Sequence, residues 1–325
     1  MTDIVTVAGP LNAEHLGWVS RLYGRADPKY RRTDVLEHLF TRTAEPSLHA
    51  FAVDDGPVGH CCVVPTPGRL GSDPLRCGKL EALFVEESHR GRRPDGRVVV
   101  GELLSRLYAF ADNRGIELVH ALATPEIGRV IQFTPLDGVG ARSFVSALRS
   151  RGPAVALASA QRAARASAAR RPSFELREPN AEDVDLVETA PPQSGRWAVL
   201  PGDSWDWYRV SPLVRVLETR GARALVQLPA SEREPFRLVA WHGRGLRDAL
   251  DLVWAAGQAA RRAGAATLRF QPWDAAGGDG ALARACRLTA FVRRDDLTRI
   301  WVRMRGNAPP RPDAAVSTPA FYLAF

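Results

Sequence analysis

The sequence predicts a two-domain α/β protein of α+β type, each domain a mixed, mainly antiparallel sheet flanked by helices. Three observations carry this. The chain has 325 residues, long enough to bury two separate cores. The order helix, hairpin, strand, long helix, strand, helix, strand reads twice along it. Between the two readings the composition breaks: from Arg149 to Phe174 there are six arginines and no acid, amid Ala and Ser. The domains are therefore placed at 1–150 and 174–325. A basic, alanine-rich connection over 151–173, helical by propensity, would join them.

In the first half, 11–24 reads as a helix with Leu16, Val19, Leu22 and Tyr23 inward. Residues 33–43 read as a second, with Thr33 as N-cap and Leu36, Leu39 and Phe40 apolar. Two strands, 48–55 and 58–65, flank Asp55-Gly56, a hairpin signal. Residues 68–78 look like a turn-rich connection. A strand over 79–85 leads into a basic, glycine-bearing loop and then a helix to Asn113. In that helix Val99, Leu103, Leu107 and Ala111 form one apolar stripe with Val100, Leu104 and Tyr108 beside it. Gly115 suits the position after its C-cap. Residues 116–124 read as a strand, and Pro125 opens a helix to about Phe133. Pro135 to Gly138 should break it, leaving 142–149 as a last strand or short helix.

The second half reads as strand and helix from Phe174, an aromatic and acidic stretch around Trp205, strands over 223–229 and 236–243, and an amphipathic helix from Leu246. A strand over 267–273, a helix over 281–288 and two closing strands follow. Local similarity between the halves is too low for a sequence repeat, but the order of elements matches.

Hydrophobic content of 45% and charged content of 25% are those of an ordinary globular protein. No apolar run has the length of a membrane span, and the N-terminus lacks a basic region followed by an apolar core, which points to the cytoplasm. Net charge is +8. Lysine occurs only at 29 and 79, and the arginines are spread along the chain without interleaved aromatics, so nucleic acid is not the expected partner. Cys61, Cys62, Cys77 and Cys286 form no CxxC pair, and no histidine lies at zinc-finger spacing. They read as small buried thiols, with no structural metal implied.

The loop before the Val99 helix holds Arg90, Gly91, Arg92, Arg93, Gly96 and Arg97. A basic loop feeding a helix N-terminus suits a phosphate, because backbone N–H groups and the positive end of the helix dipole meet there. A solvated surface turn is the plainer alternative.

Taken with the hairpin strand PVGHCCVVP, the strand LEALFV, the loop and helix HRGRRPDGRVVVGELLSRL and the strand ELVHALAT, the chain resembles the GCN5-related N-acetyltransferase superfamily. In the second half WDWYRVSP, FRLVAWHG and RLTAFVRR extend the likeness to its tandem, two-domain members. The family's pyrophosphate loop reads Arg or Gln, two residues, Gly, one residue, Gly or Ala. Here Arg93-Pro-Asp-Gly96-Arg-Val98 meets the first two positions and departs at the last, where valine limits the approach of phosphate to backbone. The second half has the shorter His242-Gly-Arg-Gly245 and is not expected to carry the acyl donor.

The resemblance implies acetyl-coenzyme A or another acyl-coenzyme A as co-substrate, held by that loop and by the open backbone of Leu83, Phe84 and Val85 where the central strands splay. An amine on a small or amino-acid-like acceptor would attack the thioester directly and lose a proton to a general base. Glu81 is the first candidate, an acid in an apolar strand whose alternation puts it on the face of Leu83 and Val85; a salt bridge to Lys79 is the alternative. His120 is the second, on the strand beside the splay. His60 and Thr124 are candidates for substrate binding, with a satisfied core histidine and a polar strand end as their alternatives. Trp205, Trp207 and Tyr208 could line an acceptor cleft between the halves, or simply bury themselves as a capped helix. The family's tyrosine acid on the helix after Thr124 has no match. Two further readings stay open: a repurposed fold that acts on a carrier- or tRNA-bound substrate or runs a non-transfer step, and a non-catalytic binding module.

Overall fold

The computed structural model describes residues 2–24, 27–41, 45–70, 72–91, 98–147, 172–187, 197–199, 205–231, 234–270, 280–289 and 292–305. The connection over 151–171 and Arg92, Arg93, Gly96 and Arg97 lie outside them.

The first half runs β1 (Asp3–Ala8), α1 (Ala13–Tyr23), α2 (Thr33–Thr41), β2 (Leu48–Val53), β3 (Pro57–Leu70), β4 (Asp73–Val85), α3 (Val99–Asn113), β5 (Leu118–Ala123), α4 (Pro125–Val130) and β6 (Thr134–Ala147). The second runs β7 (Phe174–Arg177), a 3-10 turn (Ala181–Leu186), β8 (Trp197–Val199), α5 (Trp205–Arg209), β9 (Val214–Thr219), β10 (Ala222–Gln227), β11 (Phe236–Gly243), α6 (Leu246–Arg262), β12 (Thr267–Phe270), α7 (Ala281–Leu288) and β13 (Val292–Met304). Asp55, at φ 49°, and Gly56, at φ 150°, make the β2–β3 turn, and Gly115, at φ 78°, ends α3.

Hydrogen bonding links the strands into one path, β1-β2-β3-β4-β5-β13-β6-β12-β11-β10-β9-β7, with β8 on the far arm of β3. Seven strands belong to the first half's sheet and five to the second's, so each half is a mixed sheet with helices on it, as the sequence predicts. The last strand of the chain is not in its own half. β13 inserts between β5 and β6, and β6 in turn pairs with β12 of the second half. Each half therefore completes its neighbour.

Several segments differ from the sequence reading: β1 and β8 were not expected, and one strand, β13, stands where two were expected. Residues 68–78 are not a loose connection: they are the arms of the long β3–β4 hairpin, paired from Gly68–Leu75 to Leu70–Asp73. Pro135 does not end an element but lies inside β6 opposite Trp301. Finally, β9 pairs with both β7 and β10, although its sequence VRVLET gave no expectation of a strand.

Two cores sandwich the first sheet. Val99, Leu103, Leu107 and Ala111 of α3 pack with Leu80, Val85 and Cys61 on one face. On the other, α1 and α2 bring Val19, Leu22, Leu36 and Phe40 onto Phe51, Cys62 and Ala82. Trp301 of β13 joins the α3 core. Its indole N–H donates to the Ala123 carbonyl at 3.1 Å, and its ring lies so close over Gly128 of α4 that a Cβ there would collide with it. In the second half α6 lays a face of small residues, including Ala249, Ala256 and Ala260, on its own sheet. Among the described residues no helix is long and apolar enough to cross a membrane.

Because Trp301 is core to the first half although it comes from the chain's end, Trp301→Ala should destabilise the protein by about 3–5 kcal/mol, the usual cost of emptying a tryptophan site. Trp301→Phe keeps much of the ring and loses the hydrogen bond, which should cost about 0.5–1.5 kcal/mol for the bond. Urea denaturation of the two variants checks the order.

Candidate active site

The site begins where the sheet stops being a sheet. β4 and β5 run parallel and pair only at Cys77–Leu118, Gly78–Val119 and Lys79–His120. Past Lys79, β4 goes on to Val85 and β5 to Ala123 without a bond between them. Leu83, Phe84 and Val85 still pair with Cys61, His60 and Gly59 of β3, so only their β5 side is open. This is the fork at which the sequence placed the splay.

A bulge sits in the fork. Cys62 pairs with Ala82 and Val63 with Leu80, which leaves Glu81 without a partner on β3. The extra residue resets the alternation. Leu83 and Val85 therefore face the α3 core. Glu81 lies on the opposite face, near Tyr30, Tyr23 and Tyr208. The expected shared face of Glu81, Leu83 and Val85 does not occur, because strict alternation holds only in an unbulged strand.

Glu81 meets Lys79 at 2.9 Å, and both side chains are almost wholly buried, at 7% and 6% exposure. Burial lowers the Lys79 pKa while the Glu81 carboxylate raises it, and the net shift is downward. Burial and the Glu81 charge hold the Tyr30 phenol well above its ordinary value, and the same causes raise Tyr208. His120 is buried beside them. Its Nε2 lies 3.4 Å from Thr66 Oγ1, and burial, with Lys79 nearby, pulls its pKa to about 3, so it is neutral at pH 7. Glu81, Lys79 and His120 thus form one cluster at the root of the fork.

A cavity of about 700 Å³ adjoins it, between the far arms of β3 and β4 and the second half. Pro65, Thr66, Pro67, Leu75 and Ile116 wall one side, and Trp205, Asp206, Trp207 and Tyr208 the other. Its size falls in the range of small-molecule pockets. Thr66 and Tyr208 line the cavity and also border the charged cluster. The aromatic wall is fixed by its own hydrogen bonds. Trp205 Nε1 donates to the Asn180 carbonyl at 2.9 Å, and Trp207 Nε1 to the His38 carbonyl at 3.2 Å. The Trp207 ring stacks on His38 at 4.6 Å, tying the halves together. The tryptophans are packed, and they also wall a cavity.

The other candidates are placed as follows. His60 is fully buried in the α1–α2 core, bonded to Tyr23 and His49, and does not line this cavity. Thr124 is the N-cap of α4, its hydroxyl accepting from the Ile127 N–H. Arg90 turns back from the loop: its Nε donates to the Val85 carbonyl at 2.8 Å and its guanidinium covers the Phe84 ring at 5.7 Å. Gly91 is exposed. Val98 is the N-cap of α3, and no side chain caps that helix. In the second half, by contrast, Asp248 in the first turn of α6 accepts from the Arg244 N–H at 2.9 Å, so a carboxylate already holds the position an anion would take.

No family profile matches the sequence, and no curated protein matches it. Solved structures do. A candidate acetyltransferase from Pyrococcus horikoshii superposes with a TM-score of 0.54 at 13% identity, over 97% of this chain and 94% of that one. This chain shares the fold of that protein. A GCN5-related N-acetyltransferase from Kribbella flavida matches with a TM-score of 0.48 at 13% identity, over 93% of this chain and 72% of that one.

Sequence reasoning reached Glu81, its partner Lys79, and His120. It missed the bulge and Tyr30, since nothing in the local sequence marks a bulge and the tyrosine comes from a distant segment, and it named Tyr208 for the acceptor cleft rather than for this cluster. The buried histidines also set an acid limit. His49 and His120 are held near pKa 3 against 6.5 when unfolded, so the unfolded state binds more protons between those values. Stability is full above pH 6.5 and falls as pH drops toward 3. Between pH 7 and pH 5 the loss should be about 2 kcal/mol per histidine, read from urea midpoints; His60 is lowered likewise, so His120→Gln should remove about a third of the total.

Proposed function

We propose that the chain is an N-acyltransferase that takes an acyl-coenzyme A in the β4–β5 fork and an amine acceptor in the adjoining cavity. The observation that carries this is the fork itself, with an ionisable pair at its root. The open β5 side of Leu83 to Val85 offers backbone groups to an extended amide-bearing arm, and buried backbone groups need partners. The start of α3, where Val98 makes no side-chain capping bond, follows in sequence directly on Arg92, Arg93, Gly96 and Arg97, a basic run that suits a pyrophosphate.

In this reading the amine nitrogen attacks the thioester carbonyl carbon and the carbon–sulfur bond breaks. The amine proton passes to the Glu81 carboxylate. Coenzyme A leaves as a thiolate and takes a proton from Lys79, whose acidity burial increases. Lys79 thereby fills the place of the tyrosine acid that α4 lacks. The acceptor is an amine with an apolar or aromatic body, in keeping with the Pro, Leu, Ile and Trp wall.

One observation favours a binding module instead: Arg90 already takes the Val85 carbonyl at the tip of the fork. Calorimetry with acetyl-coenzyme A and longer acyl derivatives, then release of free thiol with a panel of amines, separates the two. Binding with thiol release supports transfer, and binding without release supports the module. If no acyl-coenzyme A binds, both fail. Glu81→Gln should lower kcat on the order of 10²–10⁴-fold while leaving acyl-coenzyme A affinity unchanged.

A further inference from the structure

The α1–α2 core holds a second cluster, which acyl transfer does not use. His60 and Cys62 lie two residues apart on β3 and share a face, and His49 stands opposite Cys62 on β2. Their ligand atoms all lie within 4.8 Å of one another, and all three residues are fully buried. His49 Nδ1 and His60 Nε2 face each other at 3.0 Å. Only one proton fits between them, so at least one lone pair points into the gap.

Each of the two histidines has a partner behind it. His49 Nε2 meets Ser47 Oγ at 2.7 Å, and His60 Nδ1 meets the Tyr23 hydroxyl at 3.2 Å. Metal-bound imidazoles hold their second nitrogen in such a hydrogen bond, and outer partners of this kind orient the ligands. A hydrophobic core needs none of this. The cluster is built as a ligand set with its supports.

We propose that His49, His60 and Cys62 bind a single Cu(I) ion. Three considerations select this ion. Thiolate with imidazole is a soft set that suits Cu(I). Three ligands satisfy it, whereas structural Zn(II) takes four in a tetrahedron. Charge decides most: Cu(I) with one thiolate and two neutral imidazoles is neutral, while Zn(II) would leave a net positive charge in a dry core, at a cost of several kcal/mol. On binding, the copper–sulfur bond forms as the Cys62 S–H bond breaks, and that proton goes to solvent. His49 then carries its proton on Nε2, donating to Ser47, and His60 carries its own on Nδ1, donating to Tyr23. No electron moves.

The test is anaerobic titration of the full chain with Cu(I) against a chromogenic Cu(I) chelator, with X-ray absorption at the copper edge. The expected result is one Cu(I) per chain in a shell of two nitrogens and one sulfur. Cys62→Ala should abolish it. Cys61→Ala should not, because Cys61 faces the α3 core on the other side of the sheet. Tyr23→Phe keeps every ligand and removes one support, and should weaken binding about 10–100-fold; it decides the matter should Cys62→Ala fail to fold. The proposal is overturned if the chelator strips all copper from the wild type. Equal loss in Cys61→Ala, or displacement of Cu(I) by equimolar Zn(II), overturns it as well.

Discussion

The molecule depends on a parallel strand pair that closes for three residues and then opens. Three bonded positions, ending at Lys79 and His120, are enough to hold β4 and β5 in one sheet. Beyond them the strands diverge, and the bulge at Glu81 bends β4 at the place where the divergence starts. An opened sheet edge inside a protein is costly, because backbone N–H and C=O groups there lose both strand and water. Arg90 reaches back to the Val85 carbonyl and meets part of that demand. The rest of the edge is available to a guest that carries its own amides.

What keeps the fork from closing is the strand on its other side. β5 pairs with β13 over six residues, Leu118 to Ala123, against three with β4. It is therefore anchored to the C-terminal strand more firmly than to its own neighbour. Trp301 of that strand fills the space between β5 and α4. Because β6 is lent in exchange to β12, neither half can complete its sheet alone. The exchange makes the two halves fold together, and it fixes the wall of the cavity that they share.

The sequence showed what depends on local patterns. Asp55-Gly56, the Val99 to Ala111 stripe and Gly115 each act over a few residues, and each was legible. The exchange of β6 and β13 was not, because pairing partners as far apart in sequence as Thr267 and Ala147, or Met304 and Leu118, leave no periodic trace. The β3–β4 arms were hidden by Gly68, Gly71 and Pro74, which read as turn residues, although the long hairpin carries Pro67 and Pro74 within its arms. At the site, an acid in an apolar strand identified Glu81, yet its face was misread, since a bulge inverts alternation without changing composition. The His49 cluster was invisible for a related reason. Its spacing in sequence is meaningless until the register sets His49 against Cys62.

The buried pair of Lys79 and Glu81 gives the strongest reason to look for chemistry at the fork. Such a pair adds little to stability, since desolvating two charges costs about as much as their attraction returns, and apolar residues of similar volume would serve as well. The cluster around it is not apolar in compensation. Tyr30, Tyr208 and His120 all border it, and Lys29, paired with Asp27 and Glu234, links the halves close by. A fold that needed only a core would fill this volume with leucine. What the pair provides, and leucine cannot, is a buried carboxylate beside an ammonium that burial has made more acidic. Those are the two proton positions that the proposed transfer would use, and they stand where β4 and β5 part.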